Sequence, residues 1–351
     1  MKYSIIFSIF LIFGQSFAQE TLKIMSFNAH NLFDTYNDPL TKDEDFTPRG
    51  SQLWTKMVLH DKMKNIAEVI LKEMPDVVGF SEIENSLVLK ELVERELKSS
   101  GYHYYYAGPS EDSRGIRCAV ISRLPILNTE SYNVNRDDWL LIGTGKSKTR
   151  DILRVDFDTG KKGAAKTLTV LVNHWPSKLG GEKAQRMRAD VAQSMSQITA
   201  KIAKRYTGRR VVSLGDFNDD ITEKSFDKVP QVKLYSKMKS SAAGVFYSPS
   251  RELLSKSPLD RGTYYYSRKL QWQTIDHMFI AGGVLLNSKR SKGFHYEPGS
   301  FRIVRHRHAV NRYFPIGCNI TYEDRKEAKL RKRCYKGASD HWPIVAEFKY
   351  Q

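Results

Sequence analysis

The sequence predicts a mixed α and β fold in which some strands must pair antiparallel. Three observations carry this. Short apolar runs recur along the chain, from Thr21–Phe27 near its start to Ile344–Phe348 near its end. Two segments carry apolar residues at helical spacing: Leu59, Met63, Ile66, Ala67, Ile70 and Met74, and later Met187, Val191, Ile198 and Ile202. Several strands follow one another with no helix between them, which an all-parallel sheet does not allow. No repeat or low-complexity tract divides the 351 residues, so one domain after the leader is the simplest organisation.

The elements follow in order. Lys2, the apolar run Ile5–Phe13 and the small residues Ser16 and Ala18 read as a secretory signal cleaved after Ala18, too short to remain as a membrane helix. The expectation is a secreted or periplasmic protein whose single domain is 19–351, with no stable membrane insertion and no protein partner inferred. Thr21–Phe27 alternates as a strand, and the first helix stops at Pro75. Asp76–Phe80 reads as a strand and Leu87–Leu97 as a helix. Strands are then expected at Tyr102–Ala107, Ile116–Ser122, Ile152–Phe157 and Leu168–Val172. A long amphipathic helix precedes further strands at Arg210–Leu214, Thr274–Ile280 and Ile344–Phe348. The stretches Ile221–Gly262 and Lys289–Lys336 read as long surface excursions.

The formal charge of +17 is concentrated: Lys289–Lys336 carries 14 Lys/Arg against 4 Asp/Glu, interleaved with Phe301, Tyr313, Phe314 and Tyr335. Such a surface attracts polyanions, nucleic acid before anionic lipid. Of the three cysteines, Cys118 lies in an apolar run and reads as a buried strand residue. Cys318 and Cys334 bracket a charged loop and are the expected pair in an oxidising compartment. No CxxC or Cys/His spacing offers a structural zinc site.

Polar residues cluster where the strands end. Asn28 follows Ile24–Phe27, Glu82 follows Val77–Ser81, and Asn173-His174 follows Leu168–Val172. Asp216 and Asn218 follow Val211–Gly215, Asp276 lies within Thr274–Ile280, and Asp340-His341 precedes the last strand. Strand ends can present groups into one shared crevice. Carboxylate and amide oxygens suit a hard cation such as Mg²⁺, and neighbouring histidines can move protons. Hydrolysis of a phosphodiester needs a nucleophilic water, neutralised charge at phosphorus and help for the leaving alkoxide. Asn, Asp, Glu and His supply all three.

Singly these residues are ordinary turn or surface residues. In this order they resemble the endonuclease/exonuclease/phosphatase superfamily. The motifs are Met25-Ser26-Phe27-Asn28, Gly79-Phe80-Ser81-Glu82, Asn173-His174-Trp175-Pro176-Ser177, Gly215-Asp216-Phe217-Asn218, Thr274-Ile275-Asp276-His277 and Ser339-Asp340-His341-Trp342-Pro343, spread over residues 21–349. The resemblance implies an α+β fold, a four-layer αββα sandwich of two packed, mostly antiparallel mixed sheets. It implies a divalent cation, Mg²⁺ first with Mn²⁺ or Ca²⁺ as alternatives, held by Glu82 with Asn28 beside it and Asp340 on the same side. Asp216 and Asn218 would orient the attacking water and the scissile phosphate. His341 would donate to a phosphoryl oxygen with Asp276 orienting it, and His174 would serve the leaving group or a phosphoryl oxygen.

The run Asp112-Ser113-Arg114-Gly115-Ile116 resembles the bacterial exported endonuclease-like branch, with Arg114 and Arg150 as phosphate contacts. The inositol-polyphosphate phosphatase branch is disfavoured, because Asp219-Asp220 and Gln273-Thr274-Ile275 stand where its signature residues would be. The expected function is a secreted metal-dependent nuclease with nucleic acid as substrate. The alternatives are a phospholipid or sphingomyelin phosphodiesterase and a non-catalytic basic protein that binds nucleic acid.

Overall fold

The computed structural model describes residues 21–134, 149–220, 246–266, 269–281, 293–306 and 337–350, together with residues 223, 225 and 226. The leader, Cys318, Cys334 and most of the basic stretch lie outside the described residues.

Two sheets pack face to face with helices on their outer surfaces. The first is built from β1 (Thr21–Leu32), β2 (Val77–Ile83), β3 (Tyr104–Ala107), β4 (Arg117–Ser122) and three later strands. The second is built from β5 (Ile126–Tyr132), β6 (Ile152–Asp158), β7 (Thr167–His174), β8 (Arg210–Asp216), β9 (Phe246–Tyr247) and one later strand. A hairpin of β10 (Tyr264–Tyr266) and β11 (Gln271–Gln273) stands apart from both. The remaining strands are β12 (Asp276–Ala281), β13 (Phe294–Tyr296), β14 (Arg302–Ile303) and β15 (Ile344–Tyr350). The sheet orders are β13-β15-β1-β2-β4-β3, with β14 also on β15, and β5-β6-β7-β8-β12-β9. Among the described residues, only β1–β2 and β7–β8 pair parallel; the other ladders are antiparallel.

The layers follow from alternation along each strand. In β1, Leu22 and Ile24 face the second sheet, while Met25 and Phe27 face α1 (Lys56–Glu73). In β8, Val212 and Leu214 enter the space between the sheets, and Val211 packs under α3 (Gly181–Arg205). A second helix, α2 (Ser86–Leu92), joins α1 on the outer face of the first sheet. Helix α1 begins where Thr55 accepts the Val58 N–H, and it ends at Met74, left-handed at φ 48°, immediately before Pro75.

Three expectations need correction. The Ile221–Gly262 stretch is not wholly a surface excursion, because Phe246 and Tyr247 are buried and pair with β12. The basic stretch likewise contributes Phe294–Tyr296 and Arg302–Ile303 to β15. Strands of two or three residues are too short to show a period in sequence. Glu82 does not follow its strand but lies within β2, where pairing with β4 shifts register between Phe80 and Ile83. Glu82 there takes φ 63°, which breaks the alternation and turns its side chain out of the ladder.

Candidate active site

Strand register assembles the site. β1 and β2 run parallel with Asn28 opposite Ser81, so Asn28 and Glu82 emerge at the same sheet edge. β7 and β8 run parallel with His174 opposite Asp216, and antiparallel β12 starts with Asp276 opposite Asp216. The final strand pairs antiparallel to β1, which brings the loop before it, Ala338–His341, to the end of β1. Gly215 makes the β7–β8 approach possible. Its φ is 143°, and a Cβ there would lie 1.9 Å from the Asn173 carbonyl oxygen, so only glycine fits opposite Asn173.

Eight of the ten site residues expected from sequence line one crevice of about 530 Å³: Glu82, Arg114, Arg150, His174, Asp216, Asn218, Asp340 and His341. Asn28 and Asp276 stand directly behind them. His341 Nδ1 donates to Asp276 Oδ2 at 2.8 Å, and its Nε2 lies 3.8 Å from both Asp216 Oδ2 and Asp340 Oδ1. Burial opposes charge on His341, but Asp276, Asp216 and Asp340 outweigh it and hold its pKa well above the ordinary histidine value. Burial pushes Asp216 up to about 7, with Asp276 and Glu82 adding to the rise against His341 and the Asn218 N–H. His174 Nε2 lies 3.7 Å from both Glu82 Oε1 and Asp216 Oδ2. Burial, reinforced by Arg150, Arg114 and His341, keeps His174 neutral.

The Asn28 amide is oriented by its contacts. Its Oδ1 accepts the His30 N–H at 2.8 Å, and its Nδ2 donates to Asp216 Oδ2 at 3.0 Å and to Glu82 Oε1 at 3.4 Å. The Asn31 N–H donates to Glu82 Oε2 at 2.9 Å. Ser339 ties the closing loop to β1 by donating to the Asn28 carbonyl at 2.6 Å, and its hydroxyl accepts the His341 N–H at 2.9 Å. His30, Asn31, Glu82 and Asn218 are all left-handed non-glycine residues, with φ from 50° to 63°. Each such conformation costs on the order of 1 kcal/mol, and four around one crevice mark a site held in place by its surroundings.

Two groups of side chains could hold a cation. Asp216, Asp276 and His341 each offer a ligand atom within 4.8 Å of the others. The 2.8 Å Asp276–His341 hydrogen bond already occupies that histidine's Nδ1, however, so this trio is built to hold a proton. Glu82 and Asp340 form the other group; both line the crevice, and both act electrostatically on the same buried Lys62. Half-buried carboxylates lining the crevice with a buried, proton-hungry Asp216 fit a hard divalent cation, whose charge would relieve their crowding.

Asp112 clamps the two arginines. Its carboxylate lies 3.2 Å from Arg114 Nε and 3.3 Å from an Arg150 terminal nitrogen, and Arg150 also donates to the Trp175 carbonyl at 2.7 Å. The structure adds residues that sequence reasoning missed. Tyr264, Tyr266 and Lys269 from the β10–β11 hairpin, together with Lys178, line the crevice, and the Tyr264 ring lies 4.9 Å from that of His341. The Tyr264-Tyr265-Tyr266 triplet was the available signal. Lys62 donates to the Ala338 carbonyl at 2.9 Å, and burial brings it down to about 8 against the pull of Asp340 and Glu82. Its signal was a lysine spaced with Leu59, Met63 and Ile66 on the apolar face of a helix.

Comparison with known proteins gives the same grouping. The model of the endonuclease/exonuclease/phosphatase family matches residues 23–350. A family protein from Bacteroides thetaiotaomicron superposes with a TM-score of 0.57 at 17% identity, covering 94% of this chain and 95% of that one. The human Nocturnin catalytic domain with bound sulfate gives 0.55 at 14% identity, covering 95% and 96%. D. rerio TDP2 complexed with a single-strand DNA product gives 0.54 at 13% identity, covering 94% and 100%. A search of curated proteins found no match. The αββα sandwich, the crevice where its strand ends meet and the family match over nearly the whole chain agree: the protein belongs to the endonuclease/exonuclease/phosphatase family and is a metal-dependent phosphodiester hydrolase.

Proposed function

We propose that the protein is an exported nuclease that hydrolyses phosphodiester bonds in DNA or RNA with Mg²⁺ or a similar divalent cation. The observation that carries the substrate class is the crevice rim. Arg114, Arg150, Lys178 and Lys269 supply positive charge to the crevice that His341 lines, and Tyr264 and Tyr266 supply aromatic faces to it. Cations that follow a phosphate backbone, interleaved with rings that accept a base, are the elements of single-strand recognition. The single-strand DNA product on structurally similar D. rerio TDP2 supports the same class. Export rests on the leader sequence.

The residues divide the chemistry among themselves. A cation held by Glu82 and Asp340 would neutralise charge on the phosphoryl oxygens. Asp216, pushed up to about 7, is poised to take a proton from the water whose oxygen attacks phosphorus. Asn218 donates its backbone N–H to Asp216 Oδ1 at 2.8 Å, which fixes that carboxylate. Protonated His341, oriented by Asp276, donates from Nε2 to the oxygen that gains charge in the transition state. Neutral His174 stands at the Glu82–Asp216 side, where its ring N–H can donate a hydrogen bond to the leaving oxygen, while the alkoxide itself takes its proton from water. Asn28 holds Glu82 and Asp216 at fixed separation through one amide nitrogen.

A second reading, a lipid phosphodiesterase, is favoured by Leu179, which lines the crevice at 75% exposure, and by Leu270, equally exposed on the hairpin turn. A substrate panel separates the two. Purified protein with Mg²⁺ is given single-stranded DNA, RNA, sphingomyelin vesicles and bis(p-nitrophenyl) phosphate. The nuclease reading predicts that turnover on a polynucleotide exceeds that on sphingomyelin by orders of magnitude, and the reverse order would refute it.

A further inference from the structure

Lys62 stands on α1 between core residues Leu59, Met63 and Ile66 and is only 5% exposed. Burying an ammonium carries a heavy desolvation cost, so an unpaired one in a core needs a reason. Lys62 forms no direct ion pair among the described residues; its nitrogen donates to the Ala338 carbonyl at 2.9 Å. Ala338 begins the short loop that carries Asp340 and His341. The Lys62 charge acts on Asp340, Glu82 and His30, groups on three different elements.

We propose that Lys62 is a positioning residue of the metal side: it pins the Ala338–His341 loop beneath the crevice and lends Glu82 and Asp340 a fixed counter-charge. In the metal-free protein this charge keeps the two carboxylates together. Once a divalent cation arrives, the same charge opposes it, so affinity is held down and the cation exchanges readily. The inference rests on Glu82 and Asp340 forming the cation side of the crevice, which Glu82→Gln tests separately.

The probe is Mn²⁺ binding to chelator-treated protein, followed by titration calorimetry and by thermal melting with and without Mn²⁺. Lys62→Gln keeps a donor for the Ala338 carbonyl and removes the charge, whereas Lys62→Met removes both. A unit charge acting on a dication at close range in a partly buried site predicts that Lys62→Gln binds Mn²⁺ about tenfold tighter than wild type. Its metal-free form should melt lower than wild type, with the gap closing when Mn²⁺ is added. Lys62→Met should show the same tightening with lower turnover at saturating Mn²⁺, because the loop has lost its anchor. If only Lys62→Met fails to fold, Lys62→Gln decides alone. Equal loss of melting temperature with and without Mn²⁺, or unchanged or weaker Mn²⁺ affinity, would overturn the proposal and leave Lys62 a scaffold residue. Failure of both variants to fold even with Mn²⁺ would overturn it too. If Glu82→Gln binds Mn²⁺ as wild type does, the assignment of the cation side falls and this inference with it. Loss of binding in Glu82→Gln with unchanged affinity in Lys62→Gln overturns this inference alone.

Discussion

His341 and Asp276 share a 2.8 Å hydrogen bond through Nδ1, and this contact decides what the other imidazole nitrogen can do. With Nδ1 fixed to a buried carboxylate and the ring held protonated, Nε2 faces the crevice as a donor. His341→Ala should therefore lower turnover by about 10²–10⁴-fold with only a small change in melting temperature. Asp276→Asn should lose less, since the histidine remains but its charge is no longer favoured. Steady-state kinetics beside thermal melts check both, and near-normal turnover in His341→Ala would remove that residue from the chemistry.

Asp216 carries a pH signature in stability. Its folded pKa, about 7, lies above the ordinary 3.8, so the folded state holds this proton more tightly than the unfolded chain does. Ionisation therefore costs stability: nothing below about 4, increasingly as pH rises, and fully above about 7. Metal-free Asp216→Asn escapes this cost. Its melting temperature should gain on wild type between pH 5 and pH 8, although the variant is nearly inactive. A constant difference across that range would contradict the assignment.

The β10–β11 hairpin predicts a dependence on substrate length. Tyr266→Ala with Lys269→Ala should raise KM on an oligonucleotide about tenfold or more, because one stacked base and one phosphate contact are lost. A small diester that fills only the catalytic end should be turned over almost as before. Equal losses on both substrates would make the hairpin a support for His341, whose ring Tyr264 flanks, and not a substrate contact.

The cysteines give a chemical test of the packing. Cys118 is 3% exposed, and burial pushes its thiol up to about 12, so it should resist alkylation in the native protein. In exported protein, Cys318 and Cys334 are expected to be joined, closing a loop worth roughly 3 kcal/mol by chain entropy. Mass spectrometry after iodoacetamide treatment should find no label in the folded state and one after unfolding without reductant. Three labels would disprove the disulfide, and native labelling of Cys118 would contradict its burial.

Much of the candidate site was legible because its residues abut strong strand signals. Asn28, Glu82, His174, Asp216 and Asp340-His341 each sit at or beside an apolar run, and the sheet edges bring those ends together. The sheet order was not legible, since Ser26 pairs with Ile344 from the far end of the chain and no local pattern specifies that partner. The hairpin escaped because three-residue strands of tyrosine show no period. Lys62 escaped because a single lysine on a helix ordinarily lies on a solvated face, whereas this one is buried and donates to the Ala338 carbonyl from the far end of the chain. The part played by Asn28 was legible as residue type but not as geometry, because which amide atom faces Glu82 is set by the His30 N–H.

The most direct test is cleavage of an end-labelled single-stranded oligonucleotide by chelator-treated protein, before and after Mg²⁺ is restored, with Glu82→Gln prepared in parallel. A metal-dependent enzyme should give no cleavage without the cation, full recovery with it, an unchanged circular dichroism spectrum in both states, and little or no recovery in Glu82→Gln. Full cleavage by the metal-free protein, or wild-type rates in Glu82→Gln, would contradict this expectation.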